Sequence, residues 1–270
     1  MQPITKIYLA FSNIFLFGQD ATLFVGMDAD GALYFTPNFR NEPHQVYHYL
    51  FVQQAWSLPL ELAFYLIAPF CVRRVPVVLA LLGASLVARA WLYQQGFSND
   101  PWTYRFFPIE IGTFLLGSLS CHLYLAFERR TVPTGVAAIA VATVWLATIL
   151  FQFLPQSSSV TSLFTDGELM YYSILVLMIP ILFKATSRSR VDRFLGELSF
   201  PIYLGHFIAK NQTGMLVGWL SLPDDPSSQA ICTALMTIAL AVVVVVLIES
   251  PLERWRARRI SRHSGVAVMA

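Results

Sequence analysis

Of the chain's 270 residues, 56% are hydrophobic and only 13% are charged, whereas a soluble domain carries roughly 25% charged residues. The mean hydropathy is +0.58 and the apolar residues fall in long blocks, which excludes a water-facing globule and predicts an all-α, polytopic transmembrane helix bundle. Each block must cross about 30 Å of hydrocarbon in roughly 20 residues of helix. A net charge of +2 gives no reason to expect nucleic acid, so membrane lipid is the expected surrounding.

Eight spans are predicted, in chain order at about 4–24, 47–71, 75–95, 106–127, 133–153, 168–185, 196–220 and 229–250. The first is interrupted by Ser12, Asn13, Gln19 and Asp20, and it lacks the basic start and compact apolar stretch of a signal peptide. A loop from about Ala21 to Val46 follows, and its Gly26, Asp28, Asp30, Gly31, Pro37, Asn38 and Asn41 are turn formers. It reads equally as a cap over a cavity and as a plain connector.

The second span carries Trp56-Ser57-Leu58-Pro59-Leu60-Glu61-Leu62-Ala63-Phe64-Tyr65. Gln53, Ser57, Glu61 and Tyr65 recur every fourth residue, so they are expected on one helical face, with Glu61 in mid-span. An ionisable group in lipid costs about 2.5–3.5 kcal/mol at a helix centre and is by default functional. The bland alternative is an interhelical hydrogen bond. Arg89 near the outer end of the third span, Glu110 at the outer start of the fourth, and His122 are lesser candidates. Gly112 and Gly117 are expected to allow close helix approach.

Prolines 76, 133, 180 and 201 are expected near span boundaries. The seventh span carries Ser199, Tyr203, His206, Lys210 and Thr213, spaced four, three, four and three, which again makes one face. Lys210, far from either end, should need an anion, with Glu61 or an acidic ligand as candidates. After the eighth span, the basic tail 253–270 suits a solvated cytoplasmic end or anionic headgroups. Residues 1–252 read as one membrane domain. The three cysteines show neither a disulfide framework nor metal-ligand spacing, so no metal is expected.

Cytoplasmic loops collect Lys and Arg. In the eight-span reading 14 of the 18 basic residues lie on one side, only Arg40 and Arg105 lie on the other, and Arg89 and Lys210 fall within spans. Both termini are therefore predicted to be cytoplasmic.

Three stretches carry a resemblance. Trp56-Ser57-Leu58-x-x-Glu61-x-x-Phe64-Tyr65 with Pro69, then Leu195-Gly196 through Ser199-Phe200, Tyr203-Leu204 and His206, then Glu249-x-Pro251, together and in this order, resemble signatures of the membrane-bound acyltransferase 3 family. The resemblance implies a bacterial inner-membrane enzyme of surface-polysaccharide modification, such as O-acetylation. It would move an acyl group from acyl-CoA, a co-substrate rather than a bound cofactor, to a carbohydrate hydroxyl. Trp56, Ser57, Glu61, Tyr65, Tyr203, His206 and Lys210 are the candidate site-lining residues. The family's presumed catalytic His and its Arg-x-x-Arg-like segment have no match here. The catalytic residue is thus left unassigned, and the chain reads as the later part of the domain, with the first spans missing. The alternatives are an inactive acyltransferase-like membrane protein and, in a different class, a transporter or flippase.

Overall fold

The computed structural model describes residues 1–154, 166–219, 223 and 225–264; Asp224 and the tail residues 265–270 lie outside the described residues. The chain forms two compact units, Met1–Ser187 and Arg188–Ala270. Its architecture is helical, as expected, with one two-stranded hairpin. Among the described residues four helices are long and apolar enough to cross a membrane: Val75–Gln94, Phe107–Phe127, Gly167–Thr186 and Pro226–Arg259.

In the first unit, α1 (Pro3–Phe15) covers only the start of the first predicted span and stops at Leu16, whose φ of 65° turns the chain left-handed. Gln19, 1% exposed, donates from Nε2 to Ser12 O at 3.1 Å, and Tyr8 donates to Gly18 O at 2.7 Å, so the turn is held from both sides. The strands β1 (Val25–Met27) and β2 (Leu33–Phe35) pair antiparallel, with Gly26 opposite Tyr34. Their connection needs Gly31, whose φ is +80° and whose missing Cβ leaves room for the Met1 backbone. Asp28 closes the turn by accepting from Ala32 N at 2.7 Å. Leu9, Met27 and Val46 form the core beneath.

The second predicted span is corrected. Residues 46–49 and 53–57 form two short 3-10 turns, and only α2 (Leu58–Cys71) is α-helical. Pro59 favours this start: it has no N–H to donate and its fixed φ suits a first turn, so the α-helix begins beside it. At the break Asn13 substitutes for the missing ladder, donating to Tyr49 O at 3.2 Å and accepting from Phe51 N at 2.7 Å.

The helices α3 (Val75–Gln94) and α4 (Phe107–Phe127) then form a hairpin. Ser85 Oγ donates to Ile109 O at 2.7 Å, and a Cβ at Gly112 would sit 3.0 Å from Ser85 Oγ. The close approach expected at Gly112 is therefore present, whereas at Gly117 a Cβ would meet nothing within 4 Å. Val78, Ile111 and Leu115 fill this interface, with Phe64 and Ile67 of α2 against them. α5 (Thr134–Ile149) and α6 (Asp166–Thr186) complete the unit, α6 packing on both α4 and α5.

The second unit is a pair, α7 (Arg190–Trp219) and α8 (Pro226–Val244), packed through Leu198, Ala241 and Val245. α8 widens into one π-turn at Val245–Glu249 and continues as α9 (Ser250–Ser264). Ser250 N reaches Val245 O, five residues back; the wider turn lets the helix continue past Pro251, which cannot donate. Pro76 and Pro133 mark helix starts as expected, but Pro180 and Pro201 lie inside α6 and α7. Neighbouring helices and local widening satisfy the backbone groups that such prolines free.

Candidate functional site

α2, α4 and α6 begin at one cavity, and each places a glutamate in its first turn. The cavity, about 420 Å³, is lined by Glu61 of α2, Glu110 and Phe114 of α4, Glu168 and Tyr172 of α6, Trp56 and Ser57 of the preceding 3-10 turn, Leu60, and Tyr104 of the α3–α4 loop. The placement has an electrostatic reason. The first backbone N–H groups of a helix have no internal acceptor and carry roughly half a positive charge, so a carboxylate is stabilised there. Glu61 is thus at a helix start, not in mid-span as the fourth-residue spacing suggests.

Within this site Glu110 is oriented by Thr113, whose Oγ1 donates to Glu110 Oε1 at 2.7 Å. Phe114 stacks on Phe64 with centroids 4.7 Å apart and planes 17° from parallel, which fixes the apolar side of the wall. Arg89 of α3 lies within electrostatic reach of Glu110, Glu168 and Tyr172. It lines a second, mainly apolar cavity of about 350 Å³ that shares Tyr172 with the first. Arg89 and Glu110 are therefore neighbours of the predicted Trp56–Glu61 cluster. The signal for them is opposite charge at the outer ends of two consecutive spans, which an antiparallel hairpin must bring together.

Trp56 is held from behind. The Arg105 guanidinium carbon lies 4.1 Å from the Trp56 ring centroid and 4.7 Å from that of Tyr104, and Trp56 and Tyr104 meet edge to face at 75°. Arg105 Nε donates to Asp100 Oδ1 at 2.7 Å, while Arg40 donates to Asp100 Oδ2 at 3.0 and 2.5 Å. Beside Arg40, the Glu42 carboxyl is lowered below its usual range by hydrogen bonds from Thr36 and Tyr34.

The other predicted residues separate. Tyr65 is 63% exposed and does not line the cavity; it lies one turn beyond Glu61 on α2, farther from the helix start at the cavity. In the second unit His206 and Lys210 line a cavity of about 780 Å³ between α7 and α8, with Thr213, Gln229, Thr233 and Thr237. The 4-3 spacing along α7 is thus kept for His206, Lys210 and Thr213. His206 Nδ1 lies 2.6 Å from Tyr203 O, and Thr213 and Thr233 hydroxyls meet at 2.8 Å. Tyr203, between the lining residues Ile202 and His206, does not itself line that cavity. His122 is a packing residue, its Nε2 bonded to Val72 O at 2.8 Å.

Chemically, the first-unit cavity offers carboxylate acceptors, hydroxyls and aromatic faces. This is a lining for a ligand with several hydroxyls and an apolar C–H face, in a volume at the small end of ligand pockets, which run from about 300 to 1,000 Å³. Among the described residues no group of three or more His, Cys, Asp or Glu is arranged to hold a metal ion.

A family model described as an acyltransferase domain matches residues 6–249, which takes in the first two signature stretches, the Glu249 that opens the third, and the cavities described above. Searches of curated proteins and of solved structures each returned no match. With that match over most of its length and apolar helices long enough to span a bilayer, the chain is an integral-membrane member of the acyltransferase 3 family.

Proposed function

We propose that the protein O-acylates a carbohydrate, taking the acyl group from acyl-CoA, in a bacterial inner membrane where it spans the bilayer eight times with both termini cytoplasmic. The observation that carries this reading is the convergence of Trp56, Ser57 and Glu61 with Tyr104, Glu110, Glu168 and Tyr172 on one cavity. Sugar hydroxyls donate to carboxylates, and a sugar's C–H face lies on an aromatic ring. In this reading Glu61 and Ser57 orient the accepting hydroxyl. Once that hydroxyl gives up its proton to a base, its oxygen attacks the thioester carbonyl, and the tetrahedral intermediate expels the CoA thiolate, which recovers a proton. In the second unit His206 and Lys210 give polar and cationic groups to a cavity of their own, and cytoplasmic Arg and Lys hold the CoA phosphates.

One observation favours a second reading: among the described residues, those that line the cavity holding Glu61 include no imidazole. The chain would then be an acyltransferase-like protein that binds acceptor without turning it over. The test is acyl transfer by the purified protein in lipid nanodiscs, with acetyl-CoA and neutral oligosaccharides as probes and mass spectrometry as readout. Acylated product that falls at least tenfold in Glu61→Gln and Glu61→Ala supports the enzyme reading. Undiminished transfer in both removes Glu61 from the site. Saturable oligosaccharide binding without product supports the second reading.

A further inference from the structure

Asp100 is a carboxylate shared by two guanidinium groups, one on each oxygen. Oδ1 accepts from Arg105 and Oδ2 from Arg40, and the side chains of Asp100 and Arg105 are only 12% and 14% exposed, against 57% for Arg40. Arg105 spends its remaining contacts on the site: its Nη2 donates to Tyr104 Oη at 2.8 Å, and its guanidinium carbon lies over the Trp56 ring. A guanidinium over an indole is attracted by the ring's negative face, more strongly where water is excluded. Its plane, however, is free to turn about the side chain unless its N–H groups are fixed. Asp100 fixes them. Trp56 lies in the short 3-10 turn Gln53–Ser57, two residues before α2 begins at Leu58, so its ring is not set within the α-helix and takes its hold from its neighbours.

We propose that Asp100 is a positioning residue that acts through Arg105 to hold the Trp56 ring in the acceptor cavity. Arg40 ties this hold to the segment between α1 and α2. The inference rests on the acceptor-binding reading of that cavity, and it makes Asp100 matter for binding the acceptor rather than for the chemical step.

The test is a double-mutant cycle on the full chain in nanodiscs, with a neutral oligosaccharide as acceptor. Asp100→Asn is expected to raise the acceptor KM about tenfold with kcat changed by less than about twofold. Asp100→Glu is expected to recover part of the loss. In a Trp56→Ala background, Asp100→Asn is expected to add nothing, because the ring it positions is gone. Arg40→Ala, losing an exposed partner, is expected to give a smaller, salt-sensitive rise. An equal loss from Asp100→Asn in both backgrounds, or a fall in kcat alone, would overturn the proposal. If the wild type binds acceptor without turnover, the same cycle is read in Kd. If it does neither, the acceptor reading fails, and the Trp56 emission band decides the positioning role. A shift on Asp100→Asn that vanishes in Trp56→Phe keeps that role, and the absence of any shift refutes it.

Discussion

The α3–α4 contact at the cavity lined by Arg89 is set by one glycine and one serine, and replacing them in turn tests that claim. In Gly112→Ala the new Cβ lies 3.0 Å from Ser85 Oγ, and 3.7 Å from Leu82 Cδ1 and Ser85 Cβ. Only the hydroxyl is too near, and it cannot swing away without breaking its 2.7 Å bond to Ile109 O. Overpacking costs about 1–3 kcal/mol and the lost hydrogen bond about 1 kcal/mol, while alanine in a helix interior recovers about 1 kcal/mol over glycine. The net destabilisation is about 2 kcal/mol, a drop of about 4–8 °C in unfolding midpoint for a chain of this size. Ser85→Ala alone costs about 1 kcal/mol. With the hydroxyl removed, the remaining contacts are ordinary, so Gly112→Ala added to Ser85→Ala should be neutral or stabilising by up to about 1 kcal/mol. The coupling of roughly 2–3 kcal/mol far exceeds the roughly 0.3–0.5 kcal/mol scatter of independent sites. Thermal unfolding of the four proteins in one detergent measures it. Equal costs for Gly112→Ala in the two backgrounds would refute the close-approach argument.

Three further outcomes are expected. His122→Ala should lower unfolding free energy by about 1 kcal/mol through loss of the bond to Val72 O, while acceptor KM and kcat stay at wild-type values; a selective loss of turnover would make His122 functional instead. Because the Glu42 carboxyl is lowered in the fold, its contribution is complete above the usual carboxylate pKa of about 4.3 and is lost as pH falls through the lowered value. Hydrogen-exchange protection at the β1–β2 hairpin, corrected for the intrinsic pH dependence of exchange, should therefore fall on acidification in the wild type and change less in Glu42→Gln. In a background with Cys71, Cys121 and Cys232 replaced, a cysteine at Ser98 should react with an impermeant thiol reagent from outside intact cells, and one at Ser187 only after permeabilisation. The reverse pattern would invert the proposed orientation.

The apolar blocks, the family signatures and the helical class were legible in the sequence, because the bilayer imposes length and hydropathy on each segment separately and such signals survive without neighbours. The 4-3 spacing placed His206, Lys210 and Thr213 on one face of α7 for the same reason: helical periodicity is local. Spacing failed at Glu61, where period four implied a face running from Gln53 to Tyr65. Residues 53–57 wind as a 3-10 turn and α2 starts only at Leu58, so Gln53 falls out of line with Glu61, and the segment before the turn is held by Asn13, which comes from a different element. The sequence also could not join Glu110, Glu168 and Arg89 to Glu61, since the residues lie tens of positions apart in the chain. Only the packing of α2, α4 and α6, with their starts together, brings their first-turn glutamates to one cavity. Which residues are charged was determined by the sequence, and which of them meet was decided by the tertiary structure, because a carboxylate at a helix start is stabilised by its own helix but finds its partners on others.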